Sequence, residues 1–222
     1  MSGRRANRAR RLIPLMLVIG GMVLVVGIVL ARPPAWWSPI ARDDAAANAL
    51  GEQFENACVS EAHRVRRPGE PWAVRVRDDD ANAWLATRLP KWMEHAGMTA
   101  AASQVRFNEG SVEIAADVPD LPSVGVVTIE PDIANGELRA GHIGVALGRL
   151  PLPFARGLVL GPLVASLGSD DAPDELKLVA AVLNGRGLPA QFELSDGRVV
   201  RLRDIEVHDG ELLLEFETLS KR

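Results

Sequence analysis

The sequence predicts an α+β protein in which an N-terminal transmembrane helix precedes one external domain. That domain is expected to have a long, curved, mainly antiparallel sheet packed on helices. Three observations predict this class. An uncharged apolar run occupies residues 12–31, helical and alternating periodicities are interspersed after residue 45, and four glycine-containing turns separate alternating segments. The turns predict local hairpins and leave the order of the strands open.

The N-terminal residues have the pattern of a membrane anchor. Residues 1–11 hold five arginines and no acid, and they form the predicted cytoplasmic tail. Residues 12–31 are the predicted span, because a helix rising about 1.5 Å per residue crosses a core of roughly 30 Å at this length. The alternative, a signal peptide cleaved near Ala31, would have an apolar core of about 7–15 residues. We expect a single-pass signal anchor in the inner or cytoplasmic membrane, with the N-terminus inside and the domain of residues 45–222 outside.

The residues that follow the span are predicted to form a tether and then an acidic domain. Residues 32–44 contain three prolines, and Trp36 and Trp37 are expected in the headgroup zone of the bilayer. After residue 32 there are 19 bases against 29 acids, a net charge of −10. This balance argues against nucleic acid as a partner and against attachment to anionic lipid through a basic patch.

Periodicity predicts the first elements of the domain. Apolar residues at three- and four-residue spacing predict a helix from Ala45. The single cysteine, Cys58, lies on its apolar stripe and is expected to be a small buried side chain, with no partner for an internal disulfide. Alternation from Trp72 to Val76 then predicts a strand with one apolar and one basic face.

The run Asp78-Asp79-Asp80 predicts the start of a second helix. Asp79 or Asp80 is expected to accept the free N–H groups of the first turn, and all three carboxylates would lie at its positive end. Catalysis by paired carboxylates is the alternative, and capping is favoured over it. Pro90 is expected to break or kink this helix.

From Ser103 onward the chain is predicted to be mostly strand and turn. The four hairpin turns are Asn108-Glu109-Gly110, Asn135-Gly136, Asp196-Gly197 and Asp209-Gly210. Two helices are predicted between the second and third turns, at Phe154 to Leu167 and at Asp174 to Asn184, the latter capped by Asn184-Gly185. The first is too short and too interrupted to be a second span.

No catalytic residue, metal site or cofactor is predicted. The histidines have no metal-ligand spacing with one another or with cysteine; they are His63, His95, His142 and His208. No nucleophile motif is present either. The chain is therefore expected not to be an enzyme, and a pairing of His142 with a buried carboxylate would revive that class.

Apolar side chains beyond what a sheet-covering stripe needs define the candidate site. They are predicted to line an elongated apolar groove and comprise Trp84, Leu85, Leu89, Trp92, Phe154, Leu158 and Leu163. The alternative is that the same residues are ordinary core, since helices that pack on one face of a sheet have this pattern too.

The order of these segments resembles the YpmS-like family of single-span bacterial membrane proteins and, more loosely, tubular lipid-binding domains. The resemblance rests on Asn82-Ala83-Trp84-Leu85, on Leu150-Pro151-Leu152-Pro153 and on the closing segments LNGRGLP and DGRVVRLRDIEVHDGELLLEF. It covers about residues 45–217. It implies an external domain with a sheet curled around a long helix and a role in lipid binding, and it supplies no catalytic residues.

Together these observations predict an extracytoplasmic binding module that holds an apolar or lipid-like ligand in envelope maintenance. Its expected partners are the lipid bilayer, a lipid ligand and an envelope protein. The alternative is a structural docking protein of an envelope, secretion or division assembly, with no small-molecule ligand. Such a protein would expose its apolar patch or an edge strand to another protein.

Overall fold

The computed structural model describes residues 32–95, 101–118, 123–152, 174–194 and 196–219, together with Gly27 and Leu121. The helices described are α1 (Ala45–His63), α2 (Asp78–Thr87), α3 (Leu89–His95) and α4 (Asp174–Leu183). The strands are β1 (Pro71–Arg77), β2 (Ser103–Asn108), β3 (Ser111–Ala116), β4 (Gly125–Ala134), β5 (Glu137–Leu147), β6 (Leu150–Pro151), β7 (Leu188–Pro189), β8 (Gln191–Glu193), β9 (Val199–His208) and β10 (Glu211–Thr218). All described strand pairs are antiparallel, and the predicted α+β class is confirmed.

Each of the four predicted turns joins two paired strands, so the hairpin predictions are confirmed. The hairpins are β2–β3, β4–β5, β8–β9 and β9–β10. At the β4–β5 turn, Asn135 and Gly136 have φ angles of 56° and 78°. These two residue types tolerate the left-handed region that a tight hairpin turn requires.

The prediction of one long sheet is wrong, because the hairpins belong to two sheets. The four-stranded sheet has the order β1-β10-β9-β8, and the six-stranded sheet has the order β2-β3-β4-β5-β6 with β7 beside β5. The first strand thus pairs with the last, from Pro71 opposite Glu217 to Arg77 opposite Glu211. Local periodicity identifies strands and neighbouring hairpins, but it does not specify which hairpins join across a long sequence separation.

The two sheets meet near the point where the chain crosses from one to the other. Strand β7 pairs with β5 just before Ala190, and β8 pairs with β9 just after it. The backbone of Ala190 donates to Gly136 O at 2.8 Å and accepts from Leu202 N at 2.7 Å. A buried cluster shared by β2 and β9 comprises Val105, Phe107 and Val207.

The aspartate run starts α2, but its carboxylates do not cap the helix. Strand β1 continues to Arg77, which is the N-cap residue and makes no capping side-chain hydrogen bond. Asp78, Asp79 and Asp80 therefore occupy the first turn, inside the helix rather than before it. The prediction that Asp79 or Asp80 accepts the free N–H groups is wrong, although all three carboxylates do lie at the positive end.

Helix α2 closes the outer edge of β2 with two side chains spaced one helical turn apart. Asn82 donates from Nδ2 to Val105 O at 2.9 Å, and its Oδ1 accepts from Val105 N at 2.7 Å. Asp78 Oδ1 accepts from Phe107 N at 2.9 Å. Burial raises the pKa of the Asp78 carboxyl, and the hydrogen bond from Phe107 partly opposes this shift. Helix α2 thus bonds to the β2 backbone in the place of a neighbouring strand. An unpaired strand edge can pair with another chain, and this contact protects the edge of β2 from such pairing.

Helix α1 begins at an aspartate that the sequence analysis assigned to the tether. Asp44 Oδ1 accepts from Ala46 N at 2.9 Å and from Ala47 N at 3.0 Å, which caps the helix. The helix then packs closely on α2 at Gly51, where a Cβ atom would lie 2.8 Å from Thr87 Oγ1. Only glycine allows this approach of the two helices.

Two predicted helix boundaries are confirmed. Pro90 lies in the first turn of α3, directly after the break that separates α3 from α2. At the end of α4, Gly185 has a φ of 77° and donates to Val182 O at 2.8 Å, while Arg186 N donates to Ala181 O at 2.9 Å. These bonds form a Schellman motif, which satisfies the last carbonyl groups of the helix.

Two predicted helices fall outside the described residues. They are the transmembrane span at residues 12–31, of which only Gly27 is described, and the segment at residues 154–167. In the part of the chain that the structure does describe, no helix has both the length and the apolar character that a membrane crossing needs. The membrane anchor therefore stays a prediction.

Candidate functional site

The structure separates the predicted site residues Trp84 and Leu85. Leu85 packs against the buried cluster that includes Val105 and Phe107, as ordinary core would. Leu89 is half-buried in the first turn of α3. The remaining predicted residues lie outside the described part of the chain; they are Phe154, Leu158 and Leu163.

Trp84 and Trp92 line a shallow depression of about 310 Å³ beside α1. Charged and polar side chains share the lining with them: Glu55, Arg88, Lys91 and His95. Arg88 Nε donates to Glu55 Oε2 at 2.7 Å, and this hydrogen bond raises the pKa of the guanidinium. Because charged side chains flank the two tryptophans, this depression offers little continuous apolar surface to an acyl chain.

A larger groove of about 670 Å³ lies on the six-stranded sheet, on the face opposite the one that carries Val105 and Phe107. This volume is within the range of about 300–1,000 Å³ that small-molecule sites occupy. The register places the groove over β4 and β5, because Val126 and Thr128 pair with Ala146 and Gly144 there.

The floor of the groove has an apolar and a polar row running across the strands. The apolar row consists of the successive register partners Val126, Ala146 and Pro151. The polar row consists of the register partners Glu113, Thr128 and Gly144, with His142 next on the same face of β5. Residues opposite one another point to the same face, so each row is continuous. Because Ala146 has a short side chain and Gly144 has none, space is left above these two positions.

Residues directly after the predicted span form one wall of the groove. Pro34 is buried, and Pro33 O accepts from Arg149 Nε at 3.0 Å. Trp36 and Trp37 pack on the buried side chains at one end of the apolar row, and the guanidinium of Arg106 lies 5.1 Å from the ring centre of Trp36. The segment predicted as a tether thus lies along the sheet, held by aromatic and cation–π contacts.

The titratable groups with resolved shifts lie away from the groove. Burial raises the pKa of the Cys58 thiol, and the nearby Asp80 charge adds to this, so the sulfur is kept protonated and weakly reactive. A hydrogen bond from the His208 ring to the Glu206 carboxylate raises the pKa of this exposed histidine. Among the described residues, no group of three or more His, Cys, Asp or Glu is arranged to hold a metal ion.

Sequence reasoning did not find the groove. The side chains of its apolar row are no larger than valine, whereas the sequence analysis selected large apolar side chains such as tryptophan and leucine. The usable signal was the outward face of β5, where Gly144 and Ala146 alternate with the buried Ile143, Val145 and Leu147. A second signal was the tryptophan pair after the predicted span, which was expected at the bilayer surface.

Comparison with known proteins leaves the chain without an assigned family. No family model matches it, and no match was found among the curated proteins that were searched. The resemblance to the YpmS-like family therefore stays a prediction.

Proposed function

We propose that this chain is a membrane-anchored extracytoplasmic module that holds an apolar or lipid-like ligand in the groove, in an envelope-maintenance role. One observation carries the proposal. The groove wall from Pro34 to Trp36 begins within three residues of the end of the predicted span at residue 31. Three residues reach about 10 Å at most, so an anchored domain would hold the groove close to the bilayer surface.

The composition of the groove supports an apolar ligand with a fixed orientation. The apolar row, Leu152 and the ring of Trp36 offer carbon surface, and the polar row offers a few hydrogen-bonding groups along one side. Ligand sites commonly combine a mostly apolar lining with a small number of placed polar groups. The depression at Trp84 and Trp92 is smaller, and charged side chains line it.

Native mass spectrometry of the full chain, released from nanodiscs after purification from cells, tests this proposal. We expect a defined lipid to remain bound and to be recovered by organic extraction. Gly144→Leu should abolish its retention, because the new side chain projects over Thr128 into the groove, where the first added carbon meets only an ordinary contact of 3.4 Å. Trp92→Ala, in the depression, is the matched control and should retain the lipid.

Two outcomes of this experiment would contradict the proposed lipid site in the groove. A folded wild-type protein with no bound lipid would overturn the proposal and favour a docking protein. Loss of lipid with Trp92→Ala and not with Gly144→Leu would move the site to the depression. Circular dichroism of each variant establishes that it is folded.

A further inference from the structure

We infer that the ligand is an amphiphile with an uncharged, hydroxyl-bearing head, and that a head hydroxyl lies over Gly144 between Thr128 and His142. This inference rests on the proposed function and specifies the ligand class of the same groove. It depends on three features of the polar row: a gap at Gly144, two hydrogen-bonding groups beside that gap, and acidic side chains around it.

The gap is defined by the missing side chain of Gly144. A Cβ atom there would lie 3.7 Å from Thr128 Oγ1 and 3.9 Å from His142 Nε2. A ligand oxygen slightly beyond that point, on the open side of the groove, comes within hydrogen-bonding distance of both groups. The gap therefore admits one small polar group.

The two neighbouring groups match a hydroxyl. The hydroxyl of Thr128 donates one hydrogen bond and accepts others, and each nitrogen of a neutral imidazole either donates or accepts according to the tautomer. A ligand hydroxyl also donates and accepts, so it can bridge Thr128 and His142 with either tautomer. A methyl ester has no hydrogen to donate and leaves one of these arrangements unmade.

The charges around the gap disfavour an anionic head. Glu113 lies in the same row, and Glu130 is the register partner of His142 and is exposed on the same face. The nearest base in the row is Arg106, which forms an ion pair with Glu113 at 2.7 Å and a cation–π contact with the ring of Trp36. A carboxylate or phosphate over Gly144 would lie near two acids, and among the described residues of the row no arginine or lysine other than the paired Arg106 lies beside the gap.

An anionic head could instead be drawn to the opposite end of the groove. Arg149 lies there, in the turn after β5, with its Nε bonded to Pro33 O. The two ends therefore predict different ligand chemistries, and probes that share one chain and differ only in the head distinguish them.

The test uses the full chain in nanodiscs with three photoactivatable probes built on the same 18-carbon chain: a monoacylglycerol, a free fatty acid and a fatty acid methyl ester. At a low, equal mole fraction of each probe, we expect the monoacylglycerol to crosslink to β4 and β5 about tenfold more than either of the others, the effect expected of two hydrogen bonds. Gly144→Ala fills the gap with one carbon at an ordinary contact distance and should remove this preference. Gly141→Ala, on the same strand with its nearest contact also at 3.4 Å, is the matched control and should keep it.

Each result decides between the inference and the proposal it rests on. Equal crosslinking of all three probes, or a preference that survives Gly144→Ala, overturns the hydroxyl site and leaves the lipid-binding function standing. A preference for the fatty acid assigns the head to the Arg149 end and also overturns the inference. If no probe crosslinks to the groove, both the inference and the proposed function fail.

Discussion

The edge and the outer face of the six-stranded sheet differ in how far other parts of the described chain cover them. At the edge, Asp78 and Asn82 pair with the backbone of β2 as a further strand would. On the outer face, Gly144 and Ala146 form an open floor, and among the described residues the segment around Trp36 lines one side of it. The first region has its polar groups paired within the protein, and the second leaves an open groove among the described residues. The difference teaches that the conspicuous Asp-rich motif completes a sheet edge, while the inconspicuous glycine-containing strand β5 forms the floor of the proposed binding groove.

The largest effect is expected at the edge. Asn82→Ala removes both hydrogen bonds to Val105 and leaves a buried N–H and C=O unpaired, which should cost about 2–3 kcal/mol in the free energy of unfolding. Urea unfolding of the full chain in detergent micelles measures this cost. Thr128→Val, which replaces one hydroxyl by a methyl group in the groove floor, is the control and should stay within about 0.5 kcal/mol of the wild type. Similar losses in both variants would break the distinction between the two regions.

The same substitution at two glycines sharpens the comparison. Gly51→Ala places a Cβ atom 2.8 Å from Thr87 Oγ1 and 3.1 Å from Ala83 O, and Thr87 is itself bonded to Ala83 O at 2.7 Å. We expect a net loss of about 1–2 kcal/mol, because overpacking outweighs the gain in helix propensity.

Gly144→Ala should leave stability unchanged or slightly higher, because its nearest contact of 3.4 Å is ordinary and strand glycines are entropically costly. Thermal unfolding of both alanine variants measures the difference. A stable Gly51→Ala protein would contradict the close helix packing. A destabilised Gly144→Ala protein would contradict the open floor.

The smallest effect concerns charge at the edge and depends on pH. Burial raises the pKa of Asp78 in the folded protein above its value in the unfolded chain. The folded state therefore binds this proton more tightly, and the protein loses stability as the pH rises through the raised pKa. Asp78→Asn keeps an acceptor for Phe107 N and removes the buried charge. The variant should therefore be more stable than the wild type at neutral pH, and the gain should shrink as the pH falls through the carboxyl range. Unfolding curves at several pH values measure this gain, and a variant less stable at neutral pH would contradict it.

Much of the fold could be predicted from the sequence, because its signals are local. The turn at Asn135-Gly136 needs residues that tolerate positive φ, and such residues mark a hairpin wherever they fall between alternating segments. The pairing of β1 with β10 has no local signal, so the division into two sheets was missed. The role of Asp78 was missed for the same reason, because its partner Phe107 lies 29 residues away along the chain.

The candidate site was harder to predict than the fold. A groove forms where side chains are small or missing. In a sequence, Gly144 indicates only a weak strand propensity and not an open space. The search for large apolar side chains found Leu85, which is core, and Trp84 and Trp92, which line a depression among charges. Only the register of β4 with β5 brings Thr128 and His142 to the same gap.

The most direct test of the central claim is to map where a membrane lipid touches the domain. A photoactivatable fatty-acyl probe, carrying its reactive group in the chain, would be incorporated into nanodiscs with the full-length protein. Tandem mass spectrometry would then identify the crosslinked residues. We expect adducts on β4 and β5 within residues 125–128 and 143–146, lost in Gly144→Leu. Adducts concentrated at residues 84–95, or an unmodified folded domain, would contradict the claim that the outer face of the six-stranded sheet is the binding site.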